Sequence, residues 1–472
     1  MSNSITIPTK QRALVLQGGG ALGAYDMGVF QALYENINTS RNAPLFDIVA
    51  GTSSGAMNAA ILVSNAVEKG WDHAASKLKE FWDYVSINPY VQDIPGFSMW
   101  WNNLHNMDMA AASQEAARKY YSTKQFLVTG VQNVFLPSPP IPRLDNRFFD
   151  PLNIWFVYTN QPLKDSLEKF ARFPVATSYN VNQKQPRLLL VSVDVLEGAA
   201  VTFDSYPRAD GNRRSEYGDY YPANKKSRST NDDGQYEYTI NYDDGIISNH
   251  AIASGSVPIN YDYAQIEANK LTIDIEGNKR IENVQRYFWD GGLASNTPLR
   301  ELIQAHQDYW LNVQGKGKDD ALVPNLEVYI IDVWPTKEEN LPIDHDGVMD
   351  RNYDLLLSDK TDYDEKVANI VSDYVTIVKE LIRLAKSKKI SKTEIDEILS
   401  RPAKSSHRSG LQRTYNDLIQ GRFDIDVKRI ERITNVDNDI SSKLFDYSTD
   451  TIKQLIRDGY EDALKKLHEW NL

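Results

Sequence analysis

The chain has 472 residues, enough to bury a large core and more than one compact domain usually needs. Its formal net charge is -12 and its sequence pI about 5.2, which excludes a chain-wide attraction to nucleic acid or to an anionic bilayer. It contains no cysteine, so disulfides, thiolate zinc sites and cysteine nucleophiles are ruled out, and a reducing, cytoplasmic setting is expected.

Met1 to Arg12 is polar and lacks the pattern of a signal peptide. No stretch approaches the roughly 20 apolar residues of a membrane span, so contact with lipid is expected to be peripheral. Ala13 to Leu16 reads as a buried strand, and Gln17-Gly18-Gly19-Gly20 as a turn. Ala24, Met27, Phe30 and Leu33 then recur at helical spacing. The plan repeats: strand from Phe46 to Ala50, turn from Gly51 to Gly55, and a small-residue helix from Ala56 to Val63. Residues 80–160 carry Trp82, Met99, Trp100, Trp101, Met107 and Met109 and a proline-rich run, which suits a cap or lid as well as an ordinary helical insertion. Leu188 to Val195 and Leu326 to Val333 are continuous apolar strands of a parallel sheet covered on both faces. Residues 205–240 are polar and nearly free of aliphatic side chains, so a long surface loop is expected between them. Beyond Pro335 the pattern turns helical. One stripe runs through Val371, Tyr374, Val375, Val378, Leu381 and Ile382, and another through Ile452, Leu455, Ile456, Ala463 and Leu467. The expected organisation is an α/β domain over 10–335 and a mainly helical C-terminal region over 336–472.

Three strand-end turns carry the chemistry. Gly18 to Gly23 fits G-x-G-x-x-G, but the second strand ends on Ala50-Gly51-Thr52-Ser53 with no acidic residue placed to hold a ribose, and no Gly-Lys-Ser/Thr follows the glycines. Backbone N–H groups at Gly18, Gly19 and Gly20 that stabilise a developing oxyanion are therefore favoured over a nucleotide cradle. Gly51-Thr52-Ser53-Ser54-Gly55 satisfies G-x-S-x-G between a buried strand and a helix, the setting of a nucleophile elbow with Ser53 at the apex; a Ser/Gly helix cap is the bland alternative. A serine needs a base. His306 falls on the apolar stripe of a helix and reads as a core histidine, whereas Phe288-Trp289-Asp290-Gly291-Gly292 delivers an aspartate to a double-glycine turn on the same sheet edge as Ser53. In isolation an Asp-Gly turn would be structural; as the third matching turn it points to Asp290 as the base, with Asn296 and Pro298 starting the next helix.

Together these residues resemble the patatin-like phospholipase family. Its glycine-rich turn is similar to Gly18 to Gly23, its elbow to Gly51 to Gly55, and its Asp-Gly-Gly/Ala motif to Asp290, Gly291 and Gly292; Ala253 to Pro258 and Leu189 to Gly198 are similar to further family segments. The resemblance implies a three-layer α/β/α fold with a mainly parallel sheet, a Ser53–Asp290 dyad, hydrolysis of lipid acyl esters, and no metal or organic cofactor. Leu22 stands where family members commonly carry Arg or Lys. A non-catalytic acyl-chain-binding protein on the same fold is the alternative, and headgroup, chain length and oligomeric state are not written in these motifs.

Overall fold

A computed structural model describes residues 7–37, 44–89, 111–138, 156–180, 183–218, 235–274, 276–314, 321–338, 341–406, 412–433 and 440–472. Trp100, Trp101, Met99, Met107 and Met109 of the expected cap, and Lys225, Lys226 and Arg228 of the polar segment, lie outside the described residues.

Ten strands form one sheet. They are β1 (Lys10–Leu16), β2 (Ile48–Thr52), β3 (Arg187–Asp194), β4 (Ala199–Asp204), β5 (Arg214–Tyr217), β6 (Gln235–Asn241), β7 (Ala264–Ile273), β8 (Lys279–Asp290), β9 (Asn325–Asp332) and β10 (Ile425–Glu431). Their order is β10-β9-β1-β2-β3-β8-β7-β6-β5, with β4 also paired to β3. The half from β10 to β3 is parallel, with Leu16 opposite Gly51 and Thr52 opposite Val191. From β8 onward the pairing is antiparallel, and Asp290 sits opposite Ser192 of β3. The carboxyl ends of β1 and β2 and the end of β8 therefore meet at one edge.

Period-2 alternation distributes the parallel strands between two cores. Ala13 and Val15 face Leu299 and Leu302 of the helix Leu299–Gln314, while Leu14 and Leu16 face the helices on the other side. Helices thus cover both faces in three layers, as the near-continuous apolar strands require.

On the second face lie α1 (Ala24–Asn36), α2 (Ser54–Lys69), α3 (Trp71–Val85) and the C-terminal helix Thr449–Glu469. Trp82 is buried in α3, so it belongs to the main core and not to a cap. The C-terminal helix buries Ile452, Leu455, Ala463 and Leu467, the stripe legible in its sequence. It crosses α1 at two glycines: a Cβ on Gly28 would lie 1.9 Å from Ile456 O, and one on Gly459 2.3 Å from Tyr25 O. Strand β10 also comes from beyond Pro335, so the C-terminal region, mainly helical, completes the sheet and the core as well.

The polar segment expected to be a surface loop contains strands β5 and β6. Tyr217 and Tyr238 alternate with polar residues and stack on each other, and Arg286 lies over Tyr238 and pairs with buried Asp194 at 2.7 Å. Aromatic rings and paired charges replace aliphatic residues there, which is why an aliphatic count misses the strands. The helix Asp362–Ser387 buries Ser372 and Val375, but leaves Val371, Tyr374 and Leu381 of its apolar stripe exposed.

Candidate active site

Ser53 follows β2 directly and precedes α2, at φ 54° and ψ -125°. A positive φ on a non-glycine residue is strained and persists only where the surroundings fix it. Here they do. The Ser53 N–H donates to Ser254 Oγ at 2.9 Å, and Ser254 Oγ in turn donates to Val191 O of the neighbouring strand. The flanking glycines make room: a Cβ on Gly51 would come within 2.2 Å of Gly55 O, and one on Gly55 within 2.3 Å of Leu16 O. Gly51 and Gly55 thus let the strand, the turn and the strand next door touch through backbone, the geometry of a nucleophile elbow.

Asp290 ends β8 beside this turn. Its backbone N–H donates to Ser256 O at 2.9 Å, and its Oδ1 accepts from Gly292 N at 2.7 Å. A Cβ on Gly291 would meet Val191 O at 2.2 Å, so this turn too lies against β3. Burial pushes the carboxyl up to about 6, and hydrogen bonds from the Ser53 hydroxyl and the Gly292 N–H offset part of that rise. Oδ2 is buried without a well-formed hydrogen bond among the described residues. Ser53 and Asp290, distant in sequence, are thus neighbours, the hydroxyl of one within reach of the carboxylate of the other.

The glycine turn lies against the elbow: a Cβ on Gly18 would sit 2.8 Å from Ser53 Cβ. Its N–H groups are not equivalent. Gly18 N reaches Asn296 O at 3.4 Å, and Gly19 N donates to Ser54 Oγ at 3.0 Å. Gly20, at φ +58°, opens a 3-10 turn (Gly20–Gly23) and is the half-exposed member of the three. Leu22 is buried in the core.

Several supporting groups carry no motif signal. Gln17 donates to Thr297 Oγ1 and Leu357 O, both at 3.0 Å, and accepts from Val333 N at 2.8 Å. Trp334 Nε1 donates to Gly18 O, as does Asn296 Nδ2 at 3.2 Å. Asn296 therefore steadies the glycine turn instead of simply starting its own helix. Below the turns, Asn58 of α2 donates to Gly23 O and Asp26 Oδ2, each at 2.9 Å, and accepts from Trp82 Nε1 at 3.1 Å. That network locks α1, α2 and α3 together beneath the two loops. Asp26 is fully buried, which holds its carboxyl well above the usual range.

Two histidines are accounted for by packing. His306 is fully buried, with Nε2 2.8 Å from Pro324 O and its ring against Phe423; burial lowers it to about 3. His250 stacks on Phe203, and burial lowers it to about 3 as well. Both are neutral core residues.

Aromatic side chains gather near Asp290. Tyr261, whose hydroxyl burial raises most, also feels Tyr447, Tyr158 and Asp290. Phe135 packs on Tyr158 and Phe445, with centroids 4.8 and 5.9 Å away. Leu444, from the 3-10 turn Lys443–Phe445, places its carbonyl oxygen 2.5 Å from where a Gly20 Cβ would be. Glu338, Asp350 and Asp354 cluster at some remove in sequence from these turns, and the Lys443 ammonium sits among them, 3.0 Å from Asp350 and 2.6 Å from Asp354.

The patatin-like phospholipase family model matches residues 14–303, a span that includes all three turns. No curated protein matches the chain. Among solved structures, VipD from Legionella pneumophila is similar at 13% identity, over 98% of this chain and 67% of that one, with a TM-score of 0.29, a likeness too distant to bear on function.

Proposed function

Because the chain belongs to the patatin-like phospholipase family, we propose that it hydrolyses acyl esters of lipids with Ser53 as nucleophile and Asp290 as general base. The observation that carries this reading is the strained Ser53 turn beside a buried aspartate whose pKa burial raises to about 6. Such a carboxylate is a better base than one in water, and it is still largely ionised at neutral pH.

In the proposed reaction Ser53 Oγ attacks the ester carbonyl carbon as its proton passes to Asp290. The carbonyl oxygen becomes an oxyanion held by the Gly18 to Gly20 turn, in which Gly20 is the half-exposed member. Collapse breaks the carbon–oxygen bond, and the leaving alcohol takes the proton from Asp290. Water then attacks the acyl-Ser53 ester with Asp290 as base again, and the fatty acid departs with Ser53 reprotonated. The aromatic groups near Asp290 give this edge an apolar surroundings suited to an acyl chain. Lipid is the substrate class; contact with a bilayer, where it occurs, would be peripheral.

The purified chain should hydrolyse short-chain p-nitrophenyl esters with chelator present. Because the base works ionised, kcat/KM should fall as pH drops through about 6, the raised pKa of Asp290. Hydrolysis abolished by chelator and restored by Ca²⁺, or a rate flat from pH 8 to well below the acid limb, would contradict the dyad.

A further inference from the structure

The helix Asp362–Ser387 lies against β10 and its surroundings through a side that carries Glu365, Ser372 and Val375. Ser372 Oγ is 3.2 Å from Asp424 Oδ1 and accepts from Arg422 Nε at 3.0 Å, and Glu365 pairs with Arg429 at 2.8 Å. A surface helix normally buries its apolar stripe and exposes its polar one. This helix buries Ser372 and Val375 on its inner side, yet carries a second apolar stripe that faces solvent. Val367, Ile370, Tyr374, Ile377, Leu381 and Leu384 are all exposed, from 39 to 66%.

These six positions are separated by three, four, three, four and three residues. That is the a/d pattern of a coiled-coil seam, with Val367, Tyr374 and Leu381 at a and Ile370, Ile377 and Leu384 at d. A repeat of 3.5 residues matches a second helix lying along the first. A globular core would not require so regular a seam, and from Val367 to Leu384 it runs for about 26 Å along the helix.

The charges at its ends indicate which helix. Asp362, Asp364 and Glu365 occupy the first turn, Asp362 and Glu365 already sharing Arg429 of β10, while Lys386, Lys388 and Lys389 crowd the other end beside Arg383, which pairs with Glu380. Laid antiparallel on an identical helix, each acidic end meets a basic end and the helix dipoles oppose; laid parallel, like charges would abut. Antiparallel pairing about the point between Val375 and Thr376 also matches every a position to a d position: Val367 with Leu384, Ile370 with Leu381, Tyr374 with Ile377. An acidic first turn is unsuited to an anionic lipid surface. We infer that the exposed face of the helix Asp362–Ser387 is a docking surface for a second copy of this chain, joined antiparallel about a two-fold axis.

The chain has no cysteine, so single engineered thiols report the pairing directly. Light scattering of the full chain at micromolar concentration should give about twice the 53.7 kDa of one chain. I370E with I377E should give one chain mass with an unchanged circular dichroism spectrum, since both side chains are exposed in the single chain. Under oxidation, an equal mixture of V367C and L384C chains should form a disulfide-linked pair that neither forms alone. A wild type that stays at one chain mass overturns the proposal, as does cross-linking of V367C with itself. Vesicle binding by a chain that remains single, lost in I370E with I377E, would overturn it in favour of a lipid surface. Should the glutamate variant fail to fold, the wild-type mass and the mixed-thiol experiment still decide.

Discussion

Ser53→Ala and Asp290→Asn should each lower ester turnover by on the order of 10³-fold or more, and the double variant should be little worse than either single one. Nucleophile and base act as one unit, so removing the second after the first costs almost nothing. Asp290→Asn has a second signature. The folded-state pKa of Asp290 is raised to about 6 by burial, so its ionised form disfavours folding. Stability from this group is greatest below the ordinary carboxylate range and is lost as pH rises to about 6. Above that pH the cost of keeping it charged is about 3 kcal/mol at most. Asparagine removes that cost, so Asp290→Asn should melt higher than the wild type at pH 8 and show no such gain near pH 4. Loss of activity with a gain in stability is what a residue strained for function gives. An Asp290→Asn variant that kept its turnover would end the dyad assignment.

Gly28→Ala should be among the most destabilising single methyl additions in the chain. The new Cβ would lie 1.9 Å from Ile456 O and 2.8 Å from Tyr460 N, both backbone atoms of the C-terminal helix, and no rotamer change can clear them. Either α1 or the C-terminal helix must move. Both are anchored, α1 through buried Tyr25, Met27 and Phe30 and the other helix through Leu455, Ala463 and Leu467. Overpacking of this kind costs about 3 kcal/mol, which should lower the apparent Tm by about 5 °C or more. Since α1 begins where the glycine turn ends, ester hydrolysis should fall as well. An unchanged melting curve would show that the C-terminal helix is not part of the domain that carries the turns.

The parallel half of the sheet is legible in the sequence because its strands are continuous apolar runs punctuated by glycine turns. The three turns are legible for a related reason: backbone must approach backbone at Gly51, Gly55 and Gly291, and only glycine allows it. What the sequence conceals is long-range partnership between polar groups. Ser254 holds the Ser53 turn and Asn296 holds Gly18, yet nothing in either residue's own neighbourhood announces partners 201 and 278 residues away. Strands β5 and β6 escape notice because tyrosine stacking and arginine pairs do the work of aliphatic burial. The helix Asp362–Ser387 shows the opposite failure. Its periodicity is plain, but a stripe of that period does not say whether the partner is the chain's own core, and here Val375 is the one member of the expected stripe that is fully buried.

Reaction of the full chain with a fluorophosphonate probe, followed by peptide mapping of the labelled residue, tests the central claim most directly. The probe is an ester mimic that captures only an activated serine, so the label should fall on Ser53, disappear in Ser53→Ala and be strongly slowed in Asp290→Asn. A label on another serine, or undiminished labelling of Ser53 in Asp290→Asn, would contradict the assignment of Ser53 and Asp290 as a working pair.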